Sequence, residues 1–177
     1  MNDSEWFCQH LASSADGFLW AVEQVPAHRR VEPPPAPLGA WHTVRHVFHL
    51  VDYEERVALP SMHLWLAEPG SAITDWDEDA AWACGDQDLA RLIERFRAVR
   101  AAQIALLPAL RDSWDAVRET VWSHPEPWGA ITLRWVVTKT FQHTAEHTHD
   151  VLRMALFWDH IAAAERRQHD ESTPHAT

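Results

Sequence analysis

Val136, Thr140, His143, His147, Val151, Met154 and Trp158 follow one another at offsets of three and four residues, the spacing that stacks side chains on one face of an α-helix. Thr132 can cap this pattern, which predicts a last long helix continuing to roughly Glu165. Such a face must be buried against other elements, and the rest of the chain offers further helices. Asn2, Asp3 and Ser4 supply capping chemistry before Trp6, Phe7, Leu11, Phe18, Leu19 and Val22, a helical pattern that stops at Pro26. A second helix is expected from about Trp41 to Leu66, a stretch free of glycine in which Pro60 must kink or divide the rod. A third is expected after Asp86, with Leu89, Leu92, Ile93, Phe96, Val99, Ile104 and Leu107 inward, arginines on the outer face and a bend at Pro108. No segment shows strand alternation bounded by hairpin turns, and no repeat period is visible. The pattern is that of an all-α four-helix bundle, in which sites are built from side chains projecting inward.

Two connections stand out. "PAHRRVEPPPAPLGA", between the first two helices, holds five prolines and is expected to be an extended surface connection. Residues 69–87, "PGSAITDWDEDAAWACGDQ", are acidic and long for a plain turn, as a lid over a pocket would be. The 177 residues suit one domain over 1–165, followed by a polar C-terminal tail over 166–177 whose composition is that of a disordered segment.

Composition excludes several classes of function. With 15 basic against 26 acidic residues and a net charge of -11, the chain is ill suited to a nonspecific grip on nucleic acid or anionic lipid. Cys8 and Cys84 have no metal-ligand or redox spacing and read as buried free thiols. The N-terminus lacks the basic and apolar regions of a secretory leader, and no window reaches the length of a membrane span, so a cytoplasmic location is expected. There are 11 tryptophans and 13 histidines. Trp41, Trp76, Trp82, Trp128 and Trp135 suit either the core or the walls of an apolar pocket, and His28, His169 and His175 lie in loop-like or tail-like sequence.

His143 and His147 sit one turn apart on the core-facing side of the last helix. Burying two imidazoles is unfavourable unless their nitrogens find partners, and residues four apart can aim both at one divalent ion. Carbonyl or carboxylate partners would satisfy them equally well, and a third ligand would decide. On the second helix, "WHTVRHVFHLVDYEE", His42, His46 and His49 share a line with Tyr53 and Arg56 that is more polar than the stripe of Val44, Val47, Phe48 and Val51. His42 and His46 are therefore expected to be exposed, and His49, nearest the helix interior, is the preferred third ligand. Asp52 and Glu54 are candidates for hydrogen bonding to a ligand, against the plainer reading as solvated helix carboxylates; His46 and His149 are pocket neighbours.

A tryptophan-led helix carrying His-Leu-x-x-x-Glu and a last helix carrying HxxxH together resemble the DinB-like family, metal-binding four-helix bundles that include YfiT-type and mycothiol-dependent maleylpyruvate isomerase-type members. The resemblance covers the first helix to about Trp158. It implies a DinB/YfiT-type bundle with a metal triad of one histidine from the second helix and two from the last, which by position are His49, His143 and His147. Thr148, His149 and Asp150 stand where the family more often has arginine, glycine and glutamine. A rival motif, "HTAEH", matches the inverted zinc-protease signature with Glu146 as base, but little chain remains beyond it to supply another ligand. Glu146 should also point about 100° from His147 around the helix.

Three neutral imidazoles leave a cation its full charge and open positions, the arrangement of a Lewis acid site. Zinc or nickel suits such ligands best, with iron, cobalt or manganese as alternatives. The resemblance implies a low-molecular-weight thiol as co-substrate, since a thiol beside such an ion loses its proton. The expected function is a metal-dependent thiol transferase, isomerase or hydrolase for a small organic substrate, with a homodimer expected from the family. The alternatives are a noncatalytic metal- or ligand-binding module and a bundle whose histidines are satisfied internally.

Overall fold

The computed structural model describes residues 2–66, 77–119 and 129–172. Helix α1, Asp3–Gln24, opens on a reciprocal cap in which the Asn2 side chain accepts from the Glu5 amide and Glu5 accepts from the Asn2 amide. It ends at Val25, before Pro26. The proline-rich connection is not wholly extended: it winds into 3-10 turns at Ala27–Val31 and Ala36–Leu38. Leu38 packs into the core. Gly39 then turns the chain at a φ of 111°, a conformation costly for any side chain with a Cβ.

Helix α2, Thr43–Tyr53, is capped by His42. Pro60 does not end the helical winding of this rod. It lacks the N–H that an α-helical turn needs, and the chain winds as π-helix over Glu54–Ala58 before returning to α-helix in α3, Leu59–His63. Residues 67–76, which include Pro69, Gly70 and Trp76 of the expected lid, lie outside the described residues. The remainder of that segment forms a short helix, α4, Glu78–Cys84, capped by Asp77. Helix α5, Leu89–Leu106, is capped by Asp88 rather than Asp86, whose carboxylate instead holds the Asp88 amide and Arg91. The helix stops two residues before Pro108 instead of bending at it.

Two short strands that the sequence pattern does not predict come next: β1, Val117–Glu119, and β2, Ala130–Thr132, paired antiparallel with Val117 opposite Thr132 and Glu119 opposite Ala130. At three residues each they are too short for alternation to show. Trp128 and the rest of 120–128 lie outside the described residues. Thr132 caps α6, its hydroxyl accepting from the Trp135 amide at 3.1 Å. Helix α6, Leu133–Ser172, runs past Glu165 into the segment expected to be a disordered tail. The side chain of His169 and all of His175 lie outside the described residues.

Helices α1, α2, α5 and α6 form the bundle: α6 packs along α1, and α2 and α5 pack on each other and on this pair. The apolar core is in two parts. Phe18, Val22, Phe48, Val51, Phe96 and Met154 belong to one, and Phe7, Leu11, Met62, Leu107, Trp114 and Val137 to the other. Between these two sets each rod carries polar residues: the half-buried Ser14 on α1, and the buried Glu54 after α2, Arg100 and Gln103 on α5, and Thr140, Thr144 and His147 on α6. Arg100, expected on an outer face, is buried. It bonds the Leu11 carbonyl at 2.9 Å, the Ser14 hydroxyl at 3.0 Å, the Thr144 hydroxyl at 2.7 Å and both oxygens of Glu54.

The thiols are not both buried as expected. Cys8 is half-buried with its sulfur 3.8 Å from the Ile104 carbonyl, and Cys84, at the end of the short α4, is exposed. No helix among the described residues is long and apolar enough to cross a membrane.

Candidate metal centre

The packing of α2 against α6 brings His49, His143 and His147 together. His143 Nε2 lies 2.9 Å from His49 Nε2 and 3.0 Å from His147 Nε2. One ligand atom from each ring lies within 4.8 Å of the others. The arrangement has a chemical peculiarity. A neutral imidazole nitrogen either donates one proton or accepts one, so His143 Nε2 cannot satisfy two Nε2 neighbours at once. It can form a good hydrogen bond with only one of the two rings. A cation accepting a lone pair from each resolves the conflict, so these residues fit a divalent metal.

Burial keeps the rings neutral, as ligands must be. It holds His49 at about 4, with the nearby His46 and Arg45 adding to the effect. His143 is lowered to about 3 by burial, then by His49 and Lys139. His147 is lowered to about 2 by burial, then by His143, His49 and His46.

Around the triad stand residues that the sequence pattern places elsewhere or does not single out. His46, expected to be exposed, is buried with its Nδ1 2.8 Å from His147 Nδ1, and burial lowers it to about 4. The polarity of its stripe misleads, because that stripe faces the histidines of α6 rather than water. Trp41 lies over the cluster, its ring within 2° of parallel to that of His147 and 4.9 Å from that of His49 between centroids. Tyr53 packs edge-on to His143 at 4.4 Å. Glu78, on α4, lies 3.6 Å from His49 Nδ1 and 2.6 Å from the Arg45 guanidinium. Arg45 in turn lies over the Trp82 ring. The cap chemistry of Asp77 was the available clue that the acidic segment contains a helix able to deliver Glu78.

Asp52 is buried and bonded to Arg56 at 2.6 Å, and Glu54 is fully buried against Arg100, so neither is a solvated helix carboxylate. Of the remaining candidates, His42 caps α2 with its Nδ1 3.3 Å from the Arg45 amide, and Trp135 and His28 are exposed. Glu146 is exposed and bonded to Gln142 at 2.7 Å, as expected for a residue off the histidine face. The triad nonetheless opens outward: His143 and His147 line a groove of about 670 Å³ with Gln142, Glu146, His149 and Asp150. A recess of similar size, about 690 Å³, lies beside Asn2, Cys8 and Trp114 at the start of α1, away from the histidines.

The family model of the DinB superfamily matches residues 1–151. Among solved structures the chain is similar to YfiT from Bacillus subtilis, described as a probable metal-dependent hydrolase with an unusual four-helix bundle topology. The two share 23% identity over 88% of each chain, with a TM-score of 0.70, which establishes likeness of fold. No curated protein matches. The mostly helical bundle, the HxxxH helix and the family match over most of the chain lead to one conclusion: this protein belongs to the DinB superfamily.

Proposed function

We propose that the protein binds one divalent transition metal through His49, His143 and His147 and uses it in catalysis on a small organic substrate. The observation that carries this reading is the convergence of three imidazole nitrogens from two helices, His143 Nε2 standing 2.9 Å from His49 Nε2 and 3.0 Å from His147 Nε2. All-nitrogen coordination favours zinc or nickel. When bound, the ion supplies Lewis acidity, acidifying a water or thiol and polarising a substrate oxygen. The chain's own residues do the rest. His49 is contributed by α2 and the other two by α6, so the packing of the two helices sets the ligand geometry. Trp41 and Tyr53 cover and flank the rings with aromatic surface.

The groove beside His143 and His147 supports a reactive site over a closed structural one, since a substrate has a way in. Both a hydrolase, with water as nucleophile, and a transferase or isomerase using a low-molecular-weight thiol suit this arrangement. Assays of zinc- and nickel-loaded protein against ester and amide substrates, and against thiol and electrophile pairs, separate the two. Turnover that disappears in His49→Ala supports catalysis at this centre. A metal-loaded protein inactive in every such assay is better read as a noncatalytic metal-binding module.

A further inference from the structure

A histidine that ligates through Nε2 must carry its proton on Nδ1, and what accepts that proton fixes the ring. We propose that His46 is a positioning residue of the metal centre, its Nδ1 accepting from the Nδ1–H of His147 and thereby holding the His147 Nε2 lone pair toward His49 and His143. This rests on the metal-binding reading above.

The two Nδ1 atoms are 2.8 Å apart between buried rings, so one of them donates. The other nitrogen of His147 decides which. Its Nε2 faces His143 Nε2 at 3.0 Å and is the atom whose lone pair would ligate. A neutral imidazole has a single N–H. In a His147 that ligates through Nε2 that N–H is on Nδ1, so His147 donates and the Nδ1 of His46 accepts. The relay therefore runs from His46 through His147 to the shared Nε2 cluster. Trp41 adds to the fixing of that ring, because its own ring lies parallel to that of His147.

A competing arrangement uses the same atoms. His46, His147 and Asp150 also place ligand atoms within 4.8 Å of one another, and a second ion there would occupy His147 Nδ1 itself. The hydrogen bond and that second ion exclude each other.

The test compares His46→Leu, which removes the acceptor, with His46→Asn, whose side-chain oxygen can take the place of Nδ1. Zinc dissociation constants are measured on the full chain by chelator competition at one pH. Nitrogen-15 NMR of metal-free wild-type protein separately reports which nitrogen of the His147 ring carries the proton. The expected results are an Nδ1–H tautomer in wild type, zinc affinity about 10- to 100-fold weaker in His46→Leu, and affinity near wild type in His46→Asn. Equal affinity in wild type and His46→Leu, no rescue by asparagine, or two zinc ions per chain would each overturn the proposal. A wild-type protein that binds no zinc defeats the metal centre itself. The tautomer then still decides the role of His46, with Nε2–H on His147 counting against it.

Discussion

Arg100 donates to both carboxylate oxygens of Glu54 in the interior of the bundle, where neither side chain meets appreciable solvent. Through its other bonds, to the Leu11 carbonyl and to the Ser14 and Thr144 hydroxyls, the same guanidinium joins α1, α5, α6 and the turn after α2. Removing one partner of a buried pair leaves the other charge without compensation, at a cost of about 3 to 5 kcal/mol. Glu54→Leu is therefore expected to lower unfolding stability by about that amount, and the double variant Glu54→Leu with Arg100→Met to recover part of it. Urea denaturation of the metal-free proteins measures both. If the double variant were as unstable as the two single effects summed, the residues would not be coupled.

His147→Ala and His149→Ala make a matched pair on one helix. His147 is buried at the cluster, whereas His149 is exposed on the wall of the groove. Elemental analysis is expected to find about one metal ion per chain in wild type and in His149→Ala, and almost none in His147→Ala, with all three showing the same helical circular dichroism. Retention of the ion by His147→Ala would remove it from the ligand set.

In metal-free protein the buried rings should make stability fall with acid. His46 and His49 titrate at about 4, His143 at about 3 and His147 at about 2, all below the ordinary imidazole value because burial disfavours the charged ring. Above about pH 6.5 these rings are neutral in both states and contribute no slope. Between about pH 6.5 and 4 the unfolded chain takes up protons that the folded chain refuses. Stability is then lost at about 1.4 kcal/mol per pH unit for each such proton. Urea midpoints in chelator at pH 7.5, 6 and 5 should fall more steeply for wild type than for a variant carrying His143→Gln and His147→Gln. Parallel profiles would mean that the rings are not held neutral.

Gly85 comes directly after α4 with an ordinary negative φ, so conformation is not what calls for glycine there. Space is. A Cβ at this position would stand 2.6 Å from the Ala81 carbonyl oxygen and 2.7 Å from the Phe48 ring. Gly85→Ala should cost about 1 to 3 kcal/mol. Because α4 carries Glu78 next to His49, it should also weaken zinc binding. Thermal melts and chelator competition on the variant check the two effects separately.

The bundle is legible in the sequence because its helices carry their apolar residues at three- and four-residue offsets between proline-marked ends. Leu92, Phe96, Val99 and Leu107 are buried as the α5 pattern predicts. Proximity of His143 to His147 is a matter of spacing within one helix; that of His49 to both depends on how two helices pack, and is implied only by the family resemblance. The polar residues whose partners lie on distant elements are the ones that periodicity misplaces. Arg100 and His46 read as surface residues because periodicity cannot distinguish a polar stripe facing water from one facing another polar stripe. Glu78 is hidden in a stretch whose acidity suggests only a loop. The strand pair Val117–Glu119 and Ala130–Thr132 is too short for alternation to register at all.

The π-helical turn at Glu54–Ala58 sets the rotational phase of the downstream half of its rod. Upstream of it α2 turns His46 and His49 toward α6, and downstream Met62 and Trp65 point into the other part of the core, beside Leu107 and Trp114. Deleting one residue within this turn would swing the downstream side chains about 100° around the axis while leaving the histidines where they are. The single extra residue thus lets two faces of unlike chemistry be aimed independently, like a keyed joint between two lengths of shaft.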